Sequence, residues 1–152
     1  MNGKIKFKIK NATEAEILSH LFECNDNFTP SLDEKVNIPD YSKKIFEKSV
    51  TFEAWEGHHL VGLISAYFNN VETGGGYITS VSVVKGYEGK GIASELMNSC
   101  IDYARQNKFR EIILEVSEGN LSAINLYKKF NFQKYENKRN LTLMRLGLSV
   151  EN

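Results

Sequence analysis

Cysteine, proline and net charge are all scarce in this 152-residue chain, and each scarcity narrows what it can do. Cys24 and Cys100 are the only cysteines. They form no CxxC pair and no His/Cys cluster accompanies them, so neither a disulfide framework nor a bound metal is expected. Two free thiols suit a reducing, cytoplasmic setting. Lysine plus arginine and aspartate plus glutamate both number 19, which leaves a formal charge of zero. A nucleic-acid binder carries a basic excess to neutralise phosphates, so no such partner is expected. No apolar run approaches the roughly 20 residues that span a bilayer. Met1 to Lys10 alternates lysine with apolar residues where a leader needs a continuous apolar stretch, so neither signal peptide nor membrane anchor is expected. With no repeat and no low-complexity linker, 1–152 reads as one domain.

The ordered segments are set by periodicity. Lys4 to Lys10 alternates strictly, the period of a half-buried strand. Thr13-Glu14-Ala15-Glu16 is a capping box that opens a helix with Ile17, Leu18, Leu21 and Phe22 on one face. Asn25 to Asp40 holds both prolines and is the least regular stretch; Asp40 is the expected cap of a second helix over Tyr41 to Lys48. Strands are expected at Val50–Glu56 and Leu60–Asn69, joined through Gly57-His58-His59. A turn at Glu72–Gly76 then leads to a strand at Tyr77–Val84. An amphipathic helix runs from about Gly91 to Asn107, with its apolar stripe through Leu96, Met97, Cys100, Ile101 and Ala104. A short strand at Glu111–Val116 precedes a helix over Asn120 to Phe130, which ends at Asn131, a residue suited to a left-handed C-terminal position. Strands near Phe132–Glu136 and Leu141–Leu146 close the chain. The order β-α-α-β-β-β-α-β-α-β-β is an α+β pattern around a mixed sheet.

The most informative segment is Val83-Val84-Lys85-Gly86-Tyr87-Glu88-Gly89-Lys90-Gly91-Ile92-Ala93-Ser94, where a strand meets a glycine-rich turn and then a long helix. The first amides of a helix have no intrahelical acceptor, and the helix dipole adds partial positive charge there. Such a helix start holds phosphate. A P-loop is excluded because Ile92 and Ala93 stand where Lys and Ser or Thr are needed. A dinucleotide fold is disfavoured because Gly89-Lys90-Gly91 comes after several strands and lacks a third glycine. Taken alone, the segment also fits a plain turn before a structural helix.

Joined to a second block nearer the C-terminus, it resembles the acyl-CoA loop of the GNAT superfamily of N-acetyltransferases, Arg/Gln-x-x-Gly-x-Gly/Ala. Glu88-Gly89-Lys90-Gly91-Ile92-Ala93 keeps the small residues, while Glu88 departs from the family's Arg or Gln. The second block, Asn120-x-x-Ala123-x-x-Leu126-Tyr127-x-x-x-Asn131-Phe132, is similar to the family's N-x-x-A-x-x-L-Y-x-x-x-G-F, with Asn131 at the glycine. The resemblance implies a central splayed sheet flanked by helices and acetyl-CoA as donor. It places Gly89, Lys90, Gly91, Ile92, Ala93 and Ser94 around the pyrophosphate. Main-chain bonds to the pantetheine arm fall at Val81, Ser82 and Val83, and Asn120 and Tyr127 lie near the cofactor.

Transfer of acetyl to an amine needs a neutral nitrogen and a proton for the departing thiolate. By its place in the motif, Tyr127 is the expected general acid, against the alternative of a core tyrosine on the face of Ala123 and Phe130. Glu115, twelve residues earlier, is the candidate base, as in the family branch that acetylates ribosomal-protein N-termini; a solvent-facing strand carboxylate or a water relay competes. Asp26, Asp33, Glu34 and Asp40, near Phe28 and Tyr41, would suit a cationic acceptor if they face it. A small-molecule primary amine is the expected acceptor, with a protein N-terminus or lysine, or a non-catalytic acyl-CoA-binding module, as alternatives. A homodimer is compatible with the resemblance.

Overall fold

The computed structural model describes residues 4–70 and 72–148. The leader expectation for Met1 to Gly3, and the outer ends of the 1–152 domain, fall outside the described residues. Seven strands form one sheet in the order β1-β2-β3-β4-β5-β7-β6: β1 (Ile5–Ile9), β2 (Val50–Glu56), β3 (His59–Asn70), β4 (Gly75–Val83), β5 (Glu111–Ser117), β6 (Gln133–Lys138) and β7 (Leu141–Gly147). Among the described residues only the β4–β5 pairing is parallel. The helices are α1 (Glu14–Glu23), α2 (Leu32–Lys35), α3 (Ile38–Lys48), α4 (Ile92–Gln106) and α5 (Leu121–Lys129). The expected α+β order holds, with a 3-10 turn at Asn25–Asn27 and the single-turn α2 added between α1 and α3.

Helix α1 starts as the capping box requires. Thr13 Oγ1 accepts from the Glu16 N–H and Glu16 Oε1 accepts from the Thr13 N–H, satisfying two of the donors a helix start leaves unpaired. Helix α3 corrects the expectation at Asp40. It begins at Ile38, with Asn37 as cap accepting from the Asp40 N–H at 2.9 Å and Pro39 in the first turn. Proline is preorganised for that place because its missing N–H is not needed there, so the helix starts earlier than an Asp40 cap allowed. Phe22 also departs from expectation: it is exposed, and Ile17, His20 and Leu21 make the inward face of α1. Gly75 and Gly76 belong to β4 rather than to the turn, pairing with Glu111 and Ile112 of β5, and the absence of a Cβ on Gly76 makes room for the Phe68 ring.

Two cores sandwich the sheet. On one face α4 lays Leu96, Met97, Cys100 and Ile101 against Phe52, Ile64 and Ala66, each large side chain contributing roughly 1.5–3 kcal/mol of burial. A Cβ on Gly62 of β3 would stand 2.7 Å from Ile92, so its absence lets the start of α4 sit close on the sheet. On the other face α1 and α3 pack Ile17, Leu21 and Ile45 over Trp55 and Leu63. Glu53 of β2 is fully buried and accepts from the N–H groups of Asn11 and Ala12, from Thr51 Oγ1 and from Trp55 Nε1. A buried carboxylate needs such donors, and here they fix the turn from β1 into α1. Among the described residues no helix is long and apolar enough to cross a membrane.

The site is built where the sheet parts. β4 and β5 pair through four positions, from Gly75 with Glu111 to Ile78 with Leu114. Beyond them β4 stays with β3, with Ser82 opposite Leu63, and β5 stays with β7, with Ser117 opposite Leu141. The two arms diverge and leave a slot between Thr79–Val83 and Glu115–Ser117.

Candidate active site

Every residue assigned from sequence to the donor or to catalysis, except Lys90, lines one cleft of about 800 Å³ that includes this slot. Lys90 is exposed and holds its ammonium 5.9 Å from the Tyr87 ring centroid. Glu88 is exposed too, yet borders the cleft.

One end of the cleft is the start of α4. Side chains cap α1, α3 and α5 through Thr13, Asn37 and Asn120, whereas α4 begins at Gly91 with no side-chain cap. The first intrahelical bond of α4 runs from the Glu95 N–H to the Gly91 carbonyl at 3.0 Å. The amides of Ile92, Ala93 and Ser94 therefore have no helical acceptor, and these three residues border the cleft. Gly91 has φ of 80°, and a Cβ there would meet nothing within 4 Å. Its glycine serves the left-handed backbone, since no protein atom competes for the space. Lys129, which sequence reasoning missed, borders the same cleft and donates from Nζ to Ser94 Oγ at 3.2 Å. It lies 35 residues from Ser94 in sequence, and no local pattern announces the contact.

The middle of the cleft is the arm of β4. The Val84 N–H bonds to the Val61 carbonyl, toward β3. Strand alternation then turns the main-chain groups of Val83 and Val81 away from β3, toward the slot, and those of Ser82 toward β3. The Val83 carbonyl is taken by Asn27 Nδ2 at 3.1 Å, which leaves the main-chain groups of Val81 and the N–H of Val83 open toward the slot. Ser82 borders the cleft while its hydroxyl bonds to His20 Nε2 at 2.8 Å, and His20 Nδ1 donates to the Leu60 carbonyl at 2.8 Å.

Burial holds His20 well below the usual histidine range, at about 4. His20 is thus neutral in the fold and protonates near pH 6.5 when unfolded. Between those values the unfolded chain binds the extra proton, so stability falls as pH drops through the window, by about 3 kcal/mol in all. Chemical denaturation from pH 7 to pH 4 should show that loss in the wild type and a flatter profile in His20→Asn. Equal slopes would mean that His20 is not the group responsible.

The inner end carries the candidate chemistry. Tyr127 on α5 is buried, its ring packed 5.9 Å from that of Phe132, and its hydroxyl has no protein partner among the described residues. Burial pushes the phenol up to about 12, so it stays protonated at neutral pH. Glu115 is exposed on β5 just past the last β4–β5 pair. Asn120 borders the cleft, with its Oδ1 engaged by the Ala123 N–H as the cap of α5 and its Nδ2 free of protein partners among the described residues. Asn131, with φ of 73°, ends that helix in the left-handed conformation expected of it.

The segment after α1 bridges both arms of the slot. Asn27 reaches Val83 on β4, and Ser117 Oγ of β5 donates to the Thr29 carbonyl at 2.6 Å. Tyr41 of α3 adds a third clasp, donating to the Thr79 carbonyl at 2.8 Å. The acidic side chains of this region, Asp26, Asp33, Glu34 and Asp40, are exposed, and none borders the cleft. Lys35 does, together with Phe28 and Leu32.

Comparison with known proteins finds relatives in sequence and in fold. An N-alpha-acetyltransferase 30 of Schizosaccharomyces pombe is 34% identical over 61 residues, 40% of this chain and 41% of that protein. A probable spermine N(1)-acetyltransferase of Bacillus subtilis subsp. natto is 31% identical over 78 residues, 51% of each. The chain thus spans about half or less of the length of these curated relatives. The Escherichia coli ribosomal-protein-S18-alanine N-acetyltransferase structure superposes with a TM-score of 0.79 over 98% of this chain and 97% of that one. At 16% identity that likeness speaks for the fold alone. The model of the Acetyltransferase (GNAT) family matches residues 15–132. With that match covering most of its length, the chain belongs to the GNAT acetyltransferase family.

Proposed function

We propose that this protein transfers an acetyl group from acetyl-CoA to the primary amine of a small molecule, by direct attack within a ternary complex. The observation that carries it is the uncapped start of α4, which opens into the same cleft as the slot and Tyr127. The free amides of Ile92, Ala93 and Ser94 would hold the diphosphate, with Lys129 beside them as a cation, and the open main-chain position at Val81 would pair with the pantetheine amides. Glu115 stands as base toward the acceptor, directly or through water, and Tyr127 as acid toward the leaving sulfur. Two buried thiols without a disulfide fit a reducing compartment.

The clasps from Asn27 and Ser117 favour a small acceptor, because they hold chain across the slot where a protein substrate would approach. The N-alpha-acetyltransferase relative supports a protein N-terminus as the second reading. A free-thiol assay with acetyl-CoA and a panel of small amines and short peptides separates the two. Thiol release above the hydrolysis background is expected with small amines. Release with peptides alone would favour the second reading, and no donor binding at millimolar acetyl-CoA would sink both.

A further inference from the structure

We infer that the acceptor carries an anionic group and an apolar body as well as its amine, with Lys35 receiving the anionic group and Glu115 facing the amine. This rests on the acetyltransferase reading and narrows its substrate class. The acceptor end is walled by Phe28, Leu32, Val36, Tyr41 and Tyr77, which suits an apolar or aromatic body. Two charges enter that wall, Lys35 from α2 and Glu115 from β5. Although the Lys35 side chain is exposed overall, its ammonium end is drawn over the Phe28 ring, 5.8 Å from the centroid. Burial lowers its pKa, and the charge of Glu115 opposes that shift, so the two groups sense one another. Yet they form no ion pair within 4.0 Å among the described residues. A cation and a carboxylate that face one cleft without closing on each other leave room for a molecule of matching, opposite polarity.

The same charges argue against a polyamine. Such an acceptor keeps further ammonium groups after one nitrogen is acetylated, and each needs a carboxylate. The four carboxylates of the 25–40 region point elsewhere, and Lys35 stands in their place. Like charges across a desolvated contact exclude a partner. A protein N-terminus is also a poorer match, since its nearest anionic group is a variable side chain rather than a fixed part of the molecule.

The test compares kcat/KM for matched acceptors: leucine and phenylalanine, the amines left by their decarboxylation, their aminophosphonate analogues, and spermine. The wild type should prefer the anionic members over the decarboxylated amines about ten-fold or more, the fold-change of one hydrogen bond to a charged group. Lys35→Glu should invert that preference and Lys35→Arg should keep it, with KM for acetyl-CoA unchanged in both. Phosphonates ahead of carboxylates would assign Lys35 to a phosphate-like group and still support the inference. Equal or better turnover of spermine or of the decarboxylated amines, or an unchanged ratio in Lys35→Glu, overturns it while leaving the acetyltransferase intact. Failure of every amine of the panel to release thiol overturns the inference, and absence of donor binding at millimolar acetyl-CoA overturns the acetyltransferase reading as well.

Discussion

Tyr127→Phe should lower kcat by about 100- to 1,000-fold while leaving acetyl-CoA affinity within about two-fold. The variant removes one oxygen and keeps the ring against Phe132, so the packing of α5 survives. The size of the effect stems from the state of the phenol. Held at about 12, it is protonated at any working pH, but it lies above a leaving thiol of about 8.5. Outright transfer of its proton to that thiolate is uphill by some 3.5 units, about 5 kcal/mol. The hydroxyl therefore acts as the acid late, through a hydrogen bond that strengthens as charge grows on sulfur, and the phenolate left behind is reprotonated by the proton the base took from the acceptor nitrogen. Such a donor in a dry site is worth roughly 3–4 kcal/mol to the transition state. Stopped-flow or steady-state kinetics with an accepted amine, paired with calorimetry of donor binding, checks this. Turnover unchanged in the variant would return Tyr127 to the core. The wild-type pH profile should show no limb from the phenol below about pH 10.

Gly91→Glu should weaken acetyl-CoA binding by more than about 100-fold. Two costs combine. A non-glycine residue at φ of 80° is strained by roughly 1–2 kcal/mol. The new side chain would also leave the backbone toward open space, since no protein atom stands within 4 Å of its Cβ. That space is the mouth before the free amides, where a carboxylate would meet the diphosphate in place of solvent. Gly91→Ala separates the contributions, because it keeps the strain and adds no charge. Calorimetry should rank wild type, then Gly91→Ala, then Gly91→Glu, with thermal unfolding shifted by similar amounts in both variants. Undiminished affinity in Gly91→Glu would move the diphosphate elsewhere.

Local chemistry made the glycine-rich start of α4 legible. Gly89, Gly91 and Ala93 sit at a strand-to-helix junction whose physics is set by nearest neighbours, and Thr13, Glu16 and Asn131 likewise act within one turn of the chain. The end of the cleft bordered by Phe28, Leu32 and Lys35 was not legible in the same way. Helix α2 is one turn long and forms because Leu32 is buried beneath neighbouring elements, so no periodicity could reveal it or point Lys35 at the cleft. His20 meets Ser82 across 62 residues and Lys129 meets Ser94 across 35, both fixed by the packing of helices on the sheet. Asp40 misled because a good capping residue also occurs inside first turns, where acidic side chains suit the dipole, and Asn37 one turn earlier had the equal claim.

The four-position pairing of β4 with β5 has a mechanical consequence. It is a short seam between two stiffer blades, one running from β1 to β4 and the other from β5 through β7 to β6. A seam of so few pairs is expected to yield before the longer ladders on either side, so the angle between the blades should be the softest motion of the sheet. A cargo lodged between them would act as a splint, and amide exchange near Ile78 and Leu114 should slow more on loading than exchange at the centre of either blade.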